Sequence, residues 1–183
     1  ITEVQRGIPG FDDEQKRALA ATVGGIRIID LYVVNGQAVG SEKYDYKLRW
    51  LAAVHAWIED EMTRHPQLVV LGDFNIAPDD RDVHDPVVWN DDSILTSTQE
   101  RAALKRLIDL GLHDSFRLHS EEAGVFSWWD YRMAGFRRNL GLRIDLVLVS
   151  EALKSRAIAS GIEREPRTWE RPSDHAPVWV EID

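Results

Sequence analysis

The alternation of short β-branched runs with amphipathic helical stretches predicts a layered α/β fold, strands packed inside and helices outside. Three segments carry that expectation. Residues 26–34 are compact and β-branched, with Asn35-Gly36 closing them as a turn. Residues 41–64 set Leu48, Leu51, Ala52, Val54 and Ile58 at the spacing of one helical face. Leu68-Val69-Val70-Leu71 is apolar at every position, the signature of a strand buried on both faces.

The other elements follow in order. Residues 1–6 form a polar, strand-like opening. Ser41 starts the long helix, Arg64 lies near its end and Pro66 stops it. After the 68–71 strand, residues 76–96 read as a loop rich in Asp and Pro. Ser97-Thr98-Gln99-Glu100 has the form of a capping box launching a helix to about Leu110, and Gly111 halts it. Strands are expected near 125–129, 143–149, 157–162 and 177–182. No internal repeat or low-complexity linker divides the chain, so residues 1–183 read as one domain.

Composition narrows the function. With 44% hydrophobic and 29% charged residues the chain is globular rather than disordered. No apolar run approaches the roughly 20 residues of a membrane span. The absence of cysteine excludes disulfides, thiolate catalysis and cysteine-bound zinc. A net charge of −9 argues against indiscriminate coating of nucleic acid, while leaving room for a local basic face. The six histidines include no pair at metal-ligand spacing on a helix, which argues against zinc.

Chemistry concentrates at strand ends. Asp73 and Asn75 stand one residue apart just past the 68–71 strand. Period-two geometry would point both into one cleft, where Asp handles a proton or metal and Asn holds a phosphate oxygen or a water. The alternative is a Gly72-Asp73 turn capped by Asn75. Asp174-His175 precedes the last strand. Its carboxylate suits hard Mg²⁺ or Mn²⁺ and its imidazole suits a developing negative charge, although a Ser173/Asp174 turn locked by Pro177 is equally simple. Asp145 is buried by pattern and needs a partner, either His175, whose tautomer it would fix, or nearby Arg143. Tyr32, placed in the middle of the 26–34 strand, and Asn35 at its end offer donors near a phosphate, or ordinary packing. Trp128 and Trp129 lead into Arg132, Arg137, Arg138 and Arg143 with no acid between the first and last arginine. Aromatics beside arginines suit a nucleic-acid backbone with an extruded sugar, or else a core flanked by a solvated loop.

Four ordered stretches, Gly72-Asp73-Phe74-Asn75, Phe126-Ser127-Trp128-Trp129-Asp130-Tyr131, Gly141-Leu142-Arg143-Ile144-Asp145 and Pro172-Ser173-Asp174-His175-Ala176-Pro177, resemble the exonuclease III family of apurinic/apyrimidinic endonucleases, within the endonuclease/exonuclease/phosphatase superfamily. The likeness runs through the whole chain, including the opening Arg6-Gly7-Ile8-Pro9-Gly10. It implies a four-layer α/β sandwich of two packed mixed sheets flanked by helices. It further implies an Mg²⁺- or Mn²⁺-dependent phosphodiesterase that cuts duplex DNA 5′ to abasic sites and carries 3′→5′ exonuclease and 3′-phosphatase activities on blocked 3′ ends. Such an enzyme is a monomer that works without a membrane, in the cytoplasm at the nucleoid. By motif, Asp73 would activate the attacking water or protonate the leaving oxygen, and Asn75 would hold that water or a phosphate oxygen. Tyr32 would contact the phosphate, Asp174 the metal, and His175, oriented by Asp145, the pentacovalent phosphate. Trp128, Leu142 and Ile144 would line the pocket for a base-less sugar, whose flipping breaks no base pair. Asn35, Arg132, Arg137 and Arg138 would contact DNA.

Two departures stand out. The family's earlier portion, with an Asn and the principal metal-binding Glu, has no counterpart after Ile1, so residues 1–183 are expected to be the C-terminal majority of the domain. Val34 also stands where many relatives have Pro. Three functions therefore remain open: a repair nuclease, an inactive remnant or DNA-binding module lacking that Glu, and a phosphoesterase acting on a lipid or inositol phosphate. The Trp128-Trp129-Asp130-Tyr131 and Gly141-Leu142-Arg143 pairing speaks against the last.

Overall fold

Alternate residues of the Leu68–Asp73 strand bury themselves in opposite directions, and this organises the layers. The computed structural model describes residues 1–183. In chain order the strands are β1 (Thr2–Arg6), β2 (Ala18–Val23), β3 (Ile26–Tyr32), β4 (Leu68–Asp73), β5 (Leu112–Asp114), β6 (Trp128–Trp129), β7 (Gly141–Leu142), β8 (Asp145–Ser150), β9 (Ala157–Ile162) and β10 (Val178–Ile182). The helices are α1 (Glu42–Arg64), α2 (Thr98–Ile108), α3 (Ser115–His119), α4 (Gly135–Arg138) and α5 (Glu151–Lys154). Six strands form the main sheet in the order β1-β2-β3-β4-β8-β5, and β9-β10 and β6-β7 form two-stranded sheets.

Leu68 and Val70 face α1 and α2, joining Trp50, Val54, Ile58, Leu104 and Leu107 in the largest core. Val69 and Leu71 face the other way, towards Val147, Val149, Ala157, Val178 and Val180 of β8, β9 and β10. The layers therefore run helix, sheet, sheet, which is the layered α/β arrangement expected, and α3 packs beside β8 and β9. Burying a Leu, Ile or Val contributes about 1.5–3 kcal/mol, so these two clusters dominate the folding energy. No helix is long and apolar enough to cross a membrane.

The long helix and the capping box appear as expected. Ser41 accepts from the Tyr44 amide at the start of α1, and Ser97 and Glu100 satisfy each other's backbone donors at the start of α2. Several boundaries differ. The 26–34 strand ends at Tyr32, which is therefore a terminal rather than a central position. The 143–149 strand starts at Asp145, because Arg143 is drawn away into ion pairs with Asp82 and Asp114. The 125–129 strand is reduced to Trp128–Trp129. Strand β2 is the clearest omission: Ala18–Val23 is alanine-rich with little local β preference, and pairing with β3 through the Gly24-Gly25 turn makes it a strand.

Gly72 lies inside β4 rather than in a turn, with φ +128°. A Cβ there would stand 2.0 Å from the Leu31 carbonyl oxygen across the β3–β4 pairing. Gly72→Ala is therefore expected to destabilise the fold by about 2–4 kcal/mol through combined backbone strain and overpacking. Urea unfolding with an unchanged m-value measures this, and an unaltered midpoint would mean the β3–β4 rim tolerates the displacement.

Candidate active site

Three strand ends meet at one rim of the main sheet. Tyr32 pairs with Asp73 in the parallel β3–β4 register, and Asp73 pairs with Asp145 in the antiparallel β4–β8 register. Directly opposed residues share a face, so the three side chains stand in a row across three adjacent strands. The segment before β10 folds over this row. It is held by a bridge between Trp128 and His175 and by hydrogen bonds from the Trp129 amide to the Asp174 carbonyl and from the Ala176 amide to the Ser127 carbonyl. Tyr32, Asp73 and His175 border an open cleft of about 730 Å³ together with Asn35, Asn75, Asp174, Trp128 and Ile144, and Asp145 stands behind His175.

Asp145 accepts the His175 Nδ1 proton, with Nδ1 lying 3.0 and 2.9 Å from its two oxygens. Burial alone would depress the imidazole's pKa. The hydrogen bond and charge of Asp145 outweigh it, and His175 is held above the ordinary histidine value. The other ring nitrogen, Nε2, is left to face the cleft. Arg143, the other candidate partner of Asp145, is engaged elsewhere.

Asp73 and Asn75 do come together, but not by strand period. β4 ends at Asp73, Phe74 is buried, and Asn75 turns with a left-handed φ of 47°. Its side chain folds back so that Nδ2 donates to Asp73 Oδ2 at 3.0 Å, and its amide donates to Asp73 Oδ1 at 2.8 Å. Asn35 Nδ2 donates to Asn75 Oδ1 at 3.2 Å, joining the β3 and β4 loops. Burial pushes the Asp73 carboxyl up to about 6, and the neighbouring Asp145 charge adds to this. The Asn75 amide, His175 and Lys47 pull it the other way.

Tyr32 is 54% exposed, with the Arg17 guanidinium 4.7 Å above its ring. Asp174 Oδ2 accepts from the Trp128 indole at 3.0 Å. Trp128 borders the cleft, whereas Trp129 is fully buried between Phe126 and Phe136. Leu142 corrects the expected sugar pocket. It is fully buried beneath Trp128 and Ile144 and supports the wall without reaching the cleft. Arg132 reaches the rim but is spanned by Asp130, and Arg137 and Arg138 stand exposed on α4 outside the cleft lining.

Two contributors escape a sequence reading. The buried Ser127 hydroxyl accepts the Ile144 and Asp145 amides at 3.0 Å each, fixing the start of β8. Buried Lys47 holds the carbonyls behind Asn35 and Asn75. Ser127 sits within the 126–131 motif, but nothing in residue type signals either role.

The cleft gathers no three His, Cys, Asp or Glu side chains into a preformed metal cage. Its oxygen donors, Asp174 foremost, nevertheless suit a hard cation, because Mg²⁺ is commonly held by one or two carboxylates with waters and substrate phosphates.

A cleft at strand ends that joins a carboxylate–imidazole pair to carboxylates and amides suits phosphoester hydrolysis, because it sets proton acceptors and donors around one space. The sequence profile of the Endonuclease/Exonuclease/phosphatase family matches residues 1–175, and the chain belongs to this family of divalent-metal-dependent hydrolases. Exodeoxyribonuclease III of Haemophilus influenzae is 37% identical over 98% of this chain and 72% of that protein. Among solved structures, NExo of Neisseria is 50% identical with a TM-score of 0.96. It has been solved as a 3′-5′ exonuclease, covering all of this chain and 71% of that one, and as a 3′ phosphatase bound to a product DNA hairpin, covering 99% and 70%. An AP endonuclease from Archaeoglobus fulgidus is 32% identical with a TM-score of 0.93, covering all of this chain and 71% of that one. The fold is that of the exonuclease III and AP endonuclease branch.

Proposed function

We propose that this chain carries the hydrolytic centre of a DNA-repair nuclease that cuts 5′ to abasic sites and removes 3′-terminal nucleotides and phosphates. The observation that carries this reading is the row Tyr32–Asp73–Asp145 capped by His175 beside the apolar wall of Trp128 and Ile144. Ionised Asp73, braced by Asn75, takes a proton from the attacking water, and the Asn75 amide keeps that water or a phosphate oxygen in place. As the imidazolium, which the Asp145 charge and hydrogen bond favour, His175 donates from Nε2–H to the phosphate oxygen on which charge grows, while Asp145 holds the ring through Nδ1. The Tyr32 hydroxyl donates to the same phosphate. Asp174 would help hold Mg²⁺ or Mn²⁺, which when bound neutralises charge on the reacting phosphate.

A duplex oligonucleotide with one abasic-site analogue, and a second with a 3′-phosphate at a nick, test this reading in Mg²⁺ and in EDTA. Metal-dependent incision or phosphate release is expected. No product from either substrate, with exonuclease III active as a control, would sink it. A second reading, favoured by the identity to NExo, gives 3′-phosphate release as the faster of the two reactions.

Arg137→Ala with Arg138→Ala is expected to weaken DNA binding and to lower the slope of log K against log salt by about 1–2. An unchanged slope would make α4 ordinary solvated surface.

A further inference from the structure

A charged amine that is fully buried needs a strong reason to be where it is. Lys47 projects from the second turn of α1, and its Nζ has three acceptors for its three protons: the Glu100 carboxylate, the Asn75 carbonyl at 2.8 Å and the Asn35 carbonyl at 3.2 Å. Glu100 is equally buried and is pinned by the Ser97 amide and hydroxyl, the latter bonded to the Tyr44 hydroxyl at 2.7 Å. The network thus ties α1 and the start of α2 to the loops following β3 and β4. Those loops carry Asn35 and Asn75, whose side chains meet each other and Asp73.

Stability alone does not explain this pair, since an apolar pair of similar volume commonly serves a core as well or better. The geometry of the acceptors is more telling. Asn75 takes the left-handed conformation, which asparagine tolerates better than most residues, and Lys47 grips the carbonyl of that very residue. Next to Asn35, Gly36 packs so closely that an added Cβ would stand 3.1 Å from Lys47 Cδ and 2.9 Å from Ile94 Cδ1. The loop is thus seated on the lysine stem as well as bonded to its head. The same ammonium also faces Asp73 from behind and opposes the rise in that carboxyl's pKa.

We propose that Lys47, locked by Glu100, is a positioning residue that sets Asn35 and Asn75 in their working conformations for phosphoester hydrolysis. The kinetic part of this inference rests on the function proposed above; the structural part does not.

The test is the chain carrying Lys47→Met together with Glu100→Gln, which removes the charge pair without stranding one partner. In the free protein, the Asn35 and Asn75 side-chain amide resonances are expected to shift. On the 3′-phosphorylated duplex kcat should fall on the order of 10²-fold, with KM within about threefold, because misplacing a site group by about 1 Å has effects of that size. A cooperatively melting double variant whose two amide resonances stay in place would overturn the proposal, as would a loss confined to KM. If the parent chain hydrolyses no DNA, the functional reading falls while the resonances still decide the role of Lys47. If the double variant does not melt cooperatively, Lys47→Arg carries the same two readouts. A fork-shaped guanidinium cannot place one point donor between both carbonyls, so shifted resonances and a roughly tenfold lower kcat are expected. Unmoved resonances and rate would again overturn it.

Discussion

Asp73→Asn is expected to lower kcat on the order of 10²-fold or more while leaving DNA affinity nearly unchanged, because accepting a proton helps the transition state and not the bound ground state. The reaction's acid limb should share the same origin. With its carboxyl pushed up to about 6, Asp73 is half protonated near that pH, so kcat/KM should fall below it with a slope near one. Asn abolishes that limb along with the rate. Stability moves in the opposite direction. The folded carboxyl has a higher pKa than the unfolded one, so folding favours its protonated form. That stabilisation is full below the unfolded value of 3.8 and is lost as pH rises through about 6. In EDTA at pH 8, Asp73→Asn should therefore be more stable than the parent by about 1–2 kcal/mol. This allows for Asn supplying one acceptor where Asp73 supplies two to Asn75. At pH 4 the difference should shrink. An active Asp73→Asn chain, or one no more stable at pH 8, would remove Asp73 from the role given to it.

Asp145→Asn should be nearly as damaging, although its side chain touches no substrate. The Asp145 carboxylate accepts from Nδ1, fixes the ring's aim into the cleft and favours the imidazolium, the form whose Nε2–H can donate. Asn carries no charge, so the imidazolium that donates from Nε2 is no longer favoured and the grip on Nδ1 weakens. A loss in kcat on the order of 10²–10³ is expected, the size seen when one donor to a developing oxyanion is removed. His175→Ala should lose about as much. The double variant should be within about threefold of His175→Ala, because the two residues act as a unit. Multiplying losses would show that they work separately. The His175 titration midpoint should also drop in Asp145→Asn, since the charge and hydrogen bond that raise it are gone.

Much of this site is visible in residue order. Asp73, Asn75, Asp174 and His175 stand in short motifs next to apolar runs and do line one cleft, with Asp145 bonded behind His175. Legibility fails where an outcome depends on partners far along the chain. Tyr32 looked like a mid-strand residue, because Val33 and Val34 continue the β-branched run. The Val33 amide keeps one bond to the Asp73 carbonyl, but the chain then turns towards Asn35 and Tyr32 is the last paired residue of the strand. Leu142 matched a pocket motif, yet the β6–β7 pairing buries it under Trp128. Arg143 stood as a possible partner for Asp145, but Asp82 and Asp114 capture it from remote segments.

Local signals along the chain set four elements: the β-branched stretch of β3, the doubly buried β4, the Ser97–Glu100 capping box and the helical face of α1. It also determined which chemistries are available, by supplying carboxylates, amides and imidazole and no thiol. Tertiary structure alone decided the strand status of Ala18–Val23, the register that lines up Tyr32, Asp73 and Asp145, and the burial of Lys47 against Glu100. The reason is physical. Propensity and capping act within a turn or two of chain, whereas register, ion-pair choice and burial are set by contacts between segments that only folding brings together.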